Sequence, residues 1–258
     1  MKTKTNKFEQ NLKTKLIGQS GQKRLSEAKI LLVGAGGTGC PIFTYLHNAG
    51  VERICVIDHD RVSESNLNRQ FIYDEDDIGE YKVDVILKKF GHNMKFDGKA
   101  MSSQISVVNY KLEDWVDLLE KLEDDDNEEE HSDKDYKEIG EFDLIIEATD
   151  NFKSKEMVQG LAIDYDIPCL ICGVHGYQIN MFAWHPDYSM KSYEDLFNCN
   201  DEKAEKSEGT FPTTTGILGT LVANEAIKII LGMHDKVIYD EIFYYNVLEN
   251  KLVNFEVE

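Results

Sequence analysis

Lys29-Ile-Leu-Leu-Val-Gly34-Ala-Gly-Gly-Thr-Gly39-Cys-Pro-Ile-Phe-Thr-Tyr-Leu46 holds an apolar run, a glycine turn and the start of a helix in direct succession. Lys29 to Val33 is a short apolar run suited to a buried parallel strand. The spacing Gly34-x-Gly36-x-x-Gly39, with Gly37 inside it, lets the backbone turn tightly and approach a phosphate closely. A helix beginning near Cys40 tolerates Pro41 in its first turn and presents its positive end to an anion. A second apolar run, Ile54 to Ile57, ends in Asp58, nineteen residues beyond Gly39. That is where an acid accepts hydrogen bonds from a ribose. The fingerprint alone leaves a nicotinamide cofactor and another nucleotide equally open.

The segment after Asp58-His-Asp60 separates them. Ser65-Asn-Leu-Asn-Arg-Gln70, with Lys82 behind it, brings Asn66, Arg69, Gln70 and Lys82 into a short stretch. A dehydrogenase has no need of this set. Arg69 and Lys82 supply fixed positive charge of the kind that triphosphate chemistry requires. Further on, Asp143 to Thr149 reads as another buried strand running into Asp150-Asn151. A carboxylate at that end of a central strand lies in the ligand crevice of an open α/β sheet, where Asp150 can hold Mg²⁺ with the phosphates. The plain alternative is that Asp150 caps the helix starting near Phe152.

From about Phe8 to Gly232 the chain resembles the ThiF/MoeB/HesA family, bacterial relatives of the ubiquitin-activating enzymes. The resemblance rests on Gly21-Gln22, the glycine turn, Asp58-His-Asp60, Val62-Ser-x-x-Asn66-Leu-x-Arg69-Gln70, Ile78-Gly-x-x-Lys82, Thr149-Asp-Asn151, and Gly216-x-x-Gly219 before Asn224-Glu-Ala-Ile-Lys228. It implies an ATP-dependent adenylyltransferase. Such an enzyme activates the C-terminal carboxylate of a ubiquitin-like or sulfur-carrier protein, or of a peptide, and releases pyrophosphate. By the resemblance Asp58 binds ribose, Asn66, Arg69 and Lys82 hold phosphates, and Asp150 carries Mg²⁺. The chemistry agrees. A carboxylate is a poor electrophile, and attack on the α-phosphorus gives it a good leaving group. The protein must align two anions and neutralise charge, with no general base required.

Three departures qualify the match. The family often opens with Arg-Tyr-x-Arg-Gln, whose second Arg reaches the partner subunit's ATP. Lys7-Phe-Glu-Gln-Asn11 stands there instead, so Gln10 replaces that arginine and Lys7, Lys13 or Lys15 is left to supply the charge. Many relatives hold zinc with two Cys-x-x-Cys pairs. The first aligns with Ser192-Tyr-Glu-Asp195 and no cysteine follows Cys199, so no zinc is expected. Sulfur-transfer and conjugating members use a cysteine on a crossover loop, and Cys199 lies in such a loop. A chemical role and an ordinary surface thiol both remain open for it. Cys55 and Cys169 read as buried strand residues, Cys40 as part of the first helix turn, and Cys172 as ambiguous.

The 258 residues suit one α/β domain spanning the chain. The expected fold is a Rossmann-like mixed sheet with helices on both faces. Its parallel nucleotide-binding half is followed by antiparallel strands at Gln178 to Trp184, Val237 to Asn246 and Lys251 to Val257. An N-terminal helix, one at about Lys111 to Leu122 and one at about Thr214 to Leu231 complete the outline. Of the net charge of −20, half lies between Glu123 and Asp143, which holds twelve Asp/Glu against two Lys. Residues 123–141 therefore read as a solvated, mobile insertion, and a nucleic-acid partner is disfavoured. There is no apolar run of membrane-spanning length and no secretory signal, and five scattered cysteines suit the cytoplasm. Relatives dimerise around the half containing Gly216 and Gly219, so a homodimer is expected. The seven histidines show no convincing partners, although His175 falls at the substrate end. Two other functions stay in view. One is a non-catalytic partner of the same fold that binds a ubiquitin-like protein, which Gln10 suits. The other is an NAD-dependent oxidoreductase, which the triphosphate set opposes. The acyl substrate itself stays open among a thiamin or molybdopterin sulfur carrier, a modifier and a ribosomally made peptide.

Overall fold

Alternate residues of the central strands face opposite cores, as a period of two requires. Ile30, Leu32, Ile54, Val56, Leu144 and Ile146 pack into one core; Leu31, Val33, Cys55, Ile57 and Ile145 pack into the other. Strands buried on both faces are what the unbroken apolar runs specify. The computed structural model describes residues 7–91, 94–96, 99–101, 104–111, 139–193 and 209–256.

In chain order the elements are α1 (Glu9–Lys13), α2 (Gly18–Glu27), β1 (Lys29–Val33), α3 (Gly39–Ala49), β2 (Arg53–Ile57), α4 (Lys82–Phe90), β3 (Met94–Phe96), β4 (Lys99–Met101), β5 (Gln104–Val108), β6 (Leu144–Glu147), α5 (Phe152–Asp164), β7 (Cys169–His175), β8 (Gln178–Trp184), α6 (Pro212–Ile230), β9 (Glu241–Asn246) and β10 (Lys251–Glu256). One sheet of eight strands runs in the order β5-β2-β1-β6-β7-β8-β9-β10, and β3 and β4 form a separate hairpin. β5, β2, β1, β6 and β7 are parallel, and β8, β9 and β10 continue antiparallel. The large core holds residues of α2, α3, α4 and α6; the other holds Val158, Leu161 and Ala162 of α5. This is the expected mixed α/β sheet with helices on both faces.

Four details differ from the sequence reading. The N-terminal helix is two pieces, because Thr14 is extended and Gly18 has φ +55°. β9 begins at Glu241 rather than Val237. Asp240 has φ +57°, and its carboxylate accepts the backbone N–H groups of Met190 and Lys191. Ile139–Glu141 form a short turn with Ile139 buried, and Lys29 Nζ meets Glu141 Oε2 at 2.5 Å. The last three residues of the acidic stretch therefore belong to the fold. Its remainder and the helix expected at 111–122 lie outside the described residues beyond Lys111. Two of the histidines do have partners: His234 Nδ1 lies 3.0 Å from the Tyr239 hydroxyl, and the His185 ring lies 4.8 Å from that of His234.

β1 has β2 on one side and β6 on the other, so successive crossovers leave it in opposite directions. The crevice at its carboxyl end is the place where such sheets bind ligands. α6 presses on α3 beside it: a Cβ on Gly219 would overlap Pro41 and lie 2.7 Å from the Thr38 carbonyl oxygen.

Candidate active site

The glycine turn is held by its neighbours as well as shaped by its own sequence. Gly34 has φ +99°, which suits glycine, and its N–H donates to the Ile57 carbonyl at 2.8 Å. A Cβ there would sit 2.8 Å from the Ala148 carbonyl oxygen, and one on Gly39 would overlap the Gly34 carbonyl. The Ala35 peptide groups are pinned from both sides. The Ala35 N–H donates to Asp58 Oδ2 at 2.7 Å, and the buried Tyr73 hydroxyl donates to the Ala35 carbonyl at 2.9 Å. Asp58 Oδ1 accepts the Asp60 N–H at 2.8 Å. Each Asp58 oxygen keeps a further lone pair for a hydroxyl donor.

Lys82, the first residue of α4, is buried at 3% exposure. Its Nζ lies 2.7 Å from Asp60 Oδ2 and 4.0 Å from Asp58 Oδ1. Burial works to raise the Asp60 carboxyl, but the Lys82 hydrogen bond and charge outweigh it and hold it below its usual range. Arg69 lies across the turn, with its side-chain carbons 3.2 Å from where a Gly37 Cβ would be. Arg69 Nη1 donates to the Ser65 carbonyl and to Asn68 Oδ1, both at 3.0 Å, which leaves the Nε and Nη2 protons for an anion. Gln70 is buried, its Nε2 is 3.8 Å from the corresponding point on Gly36, and its Oε1 has no partner. Asn66 uses its Oδ1 on the Ser63 N–H at 3.3 Å, so its amide donors remain.

Asp150 follows β6, and Ala148, just beyond that strand, abuts Gly34. It is exposed, and no hydrogen bond or ion pair holds its carboxylate among the described residues. The helix cap is Asn151: its Oδ1 accepts the Ser154 N–H at 2.7 Å at the start of α5. The alternative of Asp150 as the cap is thereby removed. A lone exposed carboxylate beside a phosphate cradle fits a hard divalent cation such as Mg²⁺, which takes one or two carboxylates and completes its shell with phosphate and water. The cradle that a Cβ would fill and the orphaned Gln70 Oε1 fit a nucleotide in the same way. Among the described residues, the group of three or more potential metal ligands close together is Asp58, His59 and Asp60.

The structure thus brings Gly34, Gly36, Gly37, Gly39, Asp58, Asp60, Arg69, Gln70 and Lys82 to one crevice, with Asp150 on the adjoining strand end. Cys199 lies outside the described residues. Burial pushes the Cys55 thiol up to about 11, and Cys40 and Cys172 up to about 12. Burial raises Cys169 as well, so these four thiols are poor nucleophiles. Gln10 is exposed on α1, where Lys13 pairs with Glu9 at 2.7 Å. Sequence reasoning missed three residues, Tyr73, Glu147 and Lys155. The signal for Glu147 was present, since a charge inside Leu-Ile-Ile-Glu-Ala requires a buried partner.

A glycine turn at the switch point, with an acid ending the next strand, defines a nucleotide-binding α/β protein. Within that class the chain belongs to the ThiF family, whose profile matches residues 8–258. It is 30% identical over 256 residues to the probable molybdopterin-synthase adenylyltransferase of the alga Gracilaria tenuistipitata var. liui, covering 97% of this chain and 64% of that one. It is 27% identical to the sulfur carrier protein adenylyltransferase of Thermus thermophilus, covering 90% and 80%. Among solved structures, E. coli MccB with ATP superposes with a TM-score of 0.72 at 21% identity over 92% of this chain and 65% of that chain. The chain therefore spans less than two thirds of the length of the algal relative and of MccB. No helix among the described residues is long and apolar enough to cross a membrane.

Proposed function

We propose that this protein is an ATP-dependent adenylyltransferase. Its substrate is the C-terminal carboxylate of a ubiquitin-like or sulfur-carrier protein, or of a peptide. It converts that carboxylate to an acyl adenylate and releases pyrophosphate. The observation that carries the reading is the buried Lys82 beside Asp58 and the glycine turn, with the partnerless Asp150 on the next strand end. NAD chemistry has no use for that pairing of cation and carboxylate. In this scheme Asp58 accepts the ribose hydroxyls, and the glycine-turn amides with Asn66, Arg69, Gln70 and Lys82 hold the phosphates. Asp150 would hold Mg²⁺, which when bound would supply charge neutralisation at the phosphates. The chain's own residues orient the two anions so that the carboxylate oxygen meets the α-phosphorus in line with departing pyrophosphate.

Supporting a homodimer is an apolar groove of about 470 Å³ lined by Pro41, Tyr45, Phe71, Gly216, Ile217 and Leu221, with Tyr45 and Phe71 exposed. The free, buried thiols suit a cytoplasmic setting. Gln10 is the feature that favours the other reading, a non-catalytic partner. Exchange of labelled pyrophosphate into ATP separates the two. Exchange stimulated by a Gly-Gly-ended protein or a peptide with a free carboxylate, and abolished by amidating it, is the expected result. ATP binding with no exchange across such a panel would favour the non-catalytic reading.

A further inference from the structure

Lys155 stands in the first turn of α5, where a sequence reading places a solvated lysine, yet it is 7% exposed. Its ammonium group has three donors, and each finds an acceptor. They are Glu147 Oε2 at 2.5 Å, the Thr149 carbonyl at 2.9 Å and the Cys172 carbonyl at 2.6 Å. Glu147 is fully buried, and its other oxygen accepts both the Thr149 N–H, at 2.9 Å, and the Thr149 hydroxyl. Cys172 Sγ closes the set on the Glu147 carbonyl at 3.2 Å. The bonds tie α5 to the end of β6, to Thr149 just beyond it and to the middle of β7.

The Thr149 carbonyl belongs to the peptide plane whose nitrogen is that of Asp150, so holding one atom orients the whole plane. On the far side Asn151 is fixed by its cap on Ser154. Asp150 is therefore clamped through its backbone on both sides while its carboxylate stays unpartnered. Desolvating two charges adds little net stability, and apolar residues of similar volume often serve folding as well. What the charges provide is direction.

We propose that the Glu147–Lys155 pair is a positioning device that aims the Asp150 carboxylate at the cation accompanying the nucleotide. The inference rests on the reading of Asp150 as a metal ligand. Outer partners of a metal ligand typically govern affinity by about ten- to a hundred-fold.

The test is Mn²⁺ binding in the presence of ATP, followed by loss of the free-ion electron paramagnetic resonance signal. It uses the full chain as wild type, Asp150→Ala, Lys155→Met, and the double variant Glu147→Gln/Lys155→Met. The double variant removes both charges but keeps an oxygen for Thr149, which guards against simple unfolding. The expected result is that half-saturating Mn²⁺ rises about ten-fold or more in Asp150→Ala, Lys155→Met and the double variant. ATP affinity in chelator stays at the wild-type value in all four, and the melting temperature of the double variant matches the wild type. A folded double variant with wild-type Mn²⁺ response, beside a defective Asp150→Ala, overturns the positioning role and leaves the site reading standing. Wild-type response in Asp150→Ala overturns the metal assignment and this inference with it. A double variant that does not fold makes the pair a folding element and overturns the proposal.

Discussion

The central parallel strands and the outer antiparallel strands of the sheet are built to different standards of burial. β1, β2, β6 and the start of β7 are closed off on both faces, whereas every residue of β9 is only half-buried and Leu252 of β10 is 57% exposed. Ligand chemistry gathers where the burial is complete. A crevice formed between strand ends that cannot shift holds a carboxylate or an ammonium group in one place, and in a low-dielectric surround each such group acts strongly. The outer strands β9 and β10, with side chains in partial contact with water, leave a surface that tolerates change.

Four experiments break or sharpen this contrast. Asp150→Ala and Asn151→Ala are adjacent changes with opposite readouts. The first lowers pyrophosphate exchange on the order of a hundred-fold with little change in melting temperature, as expected for loss of charge neutralisation. The second costs about 1 kcal/mol of stability through the lost cap and lowers exchange far less than the first, because the carboxylate itself remains. Equal losses of exchange in both would dissolve the distinction between them. Gly39→Ala, in the tight parallel half, forces a Cβ onto the Gly34 carbonyl. It is expected to cost on the order of 4 kcal/mol and to lower the melting temperature by roughly 10 °C. Calorimetry checks it, and a neutral result would mean that the turn gives way easily.

The third experiment uses pH. His47 on α3 stacks on Phe43 and meets the edge of Phe90, and burial, aided by Lys7, lowers it from 6.5 to about 4. Because the folded value is depressed, the neutral ring is the form the fold favours. Its contribution is complete above pH 6.5 and is lost as pH falls from 6.5 towards about 4. His47→Leu should therefore lose less melting temperature than the wild type between about pH 7 and about pH 4.5, a difference of no more than roughly 3 kcal/mol. His185, in the antiparallel half, is also lowered, by burial and then by His234. Substituting it is expected to change the acid limb less, because the Asp187 charge works against the lowering there. Leu252→Ala on the outer strand is the smallest effect, within about 0.5 kcal/mol by thermal melting. A cost of several kcal/mol there would show that the outer strand is as tightly packed as β1.

Much of the parallel half was legible because its signals are local. The Lys29–Val33 run, the glycine spacing and Asp58 at a strand end each state a backbone requirement in a few adjacent residues. β8 was also readable to its ends, Gln178 and Trp184, and α6 nearly so. What escaped depends on residues distant in sequence. Lys155 is an ordinary helix lysine until Glu147 and the Cys172 carbonyl are brought to it by sheet pairing. Asp150 and Asn151 are both good capping residues, and geometry alone decides that Asn151 takes the role. The start of β9 was misread because Asp240 adopts a left-handed conformation, with its carboxylate committed to Met190 and Lys191 fifty residues away in sequence.

The bond from the Ala35 N–H to Asp58 Oδ2 gives the molecule an internal reporter. An amide proton shared with a carboxylate resonates well downfield of its neighbours, and its position follows the electron density left on that oxygen. A ribose whose hydroxyls donate hydrogen bonds to Asp58 draws density away and moves the Ala35 signal, whereas a ligand bound elsewhere on the sheet leaves it in place. One nitrogen-15 resonance therefore reads nucleotide occupancy directly, without a labelled ligand or a turnover assay.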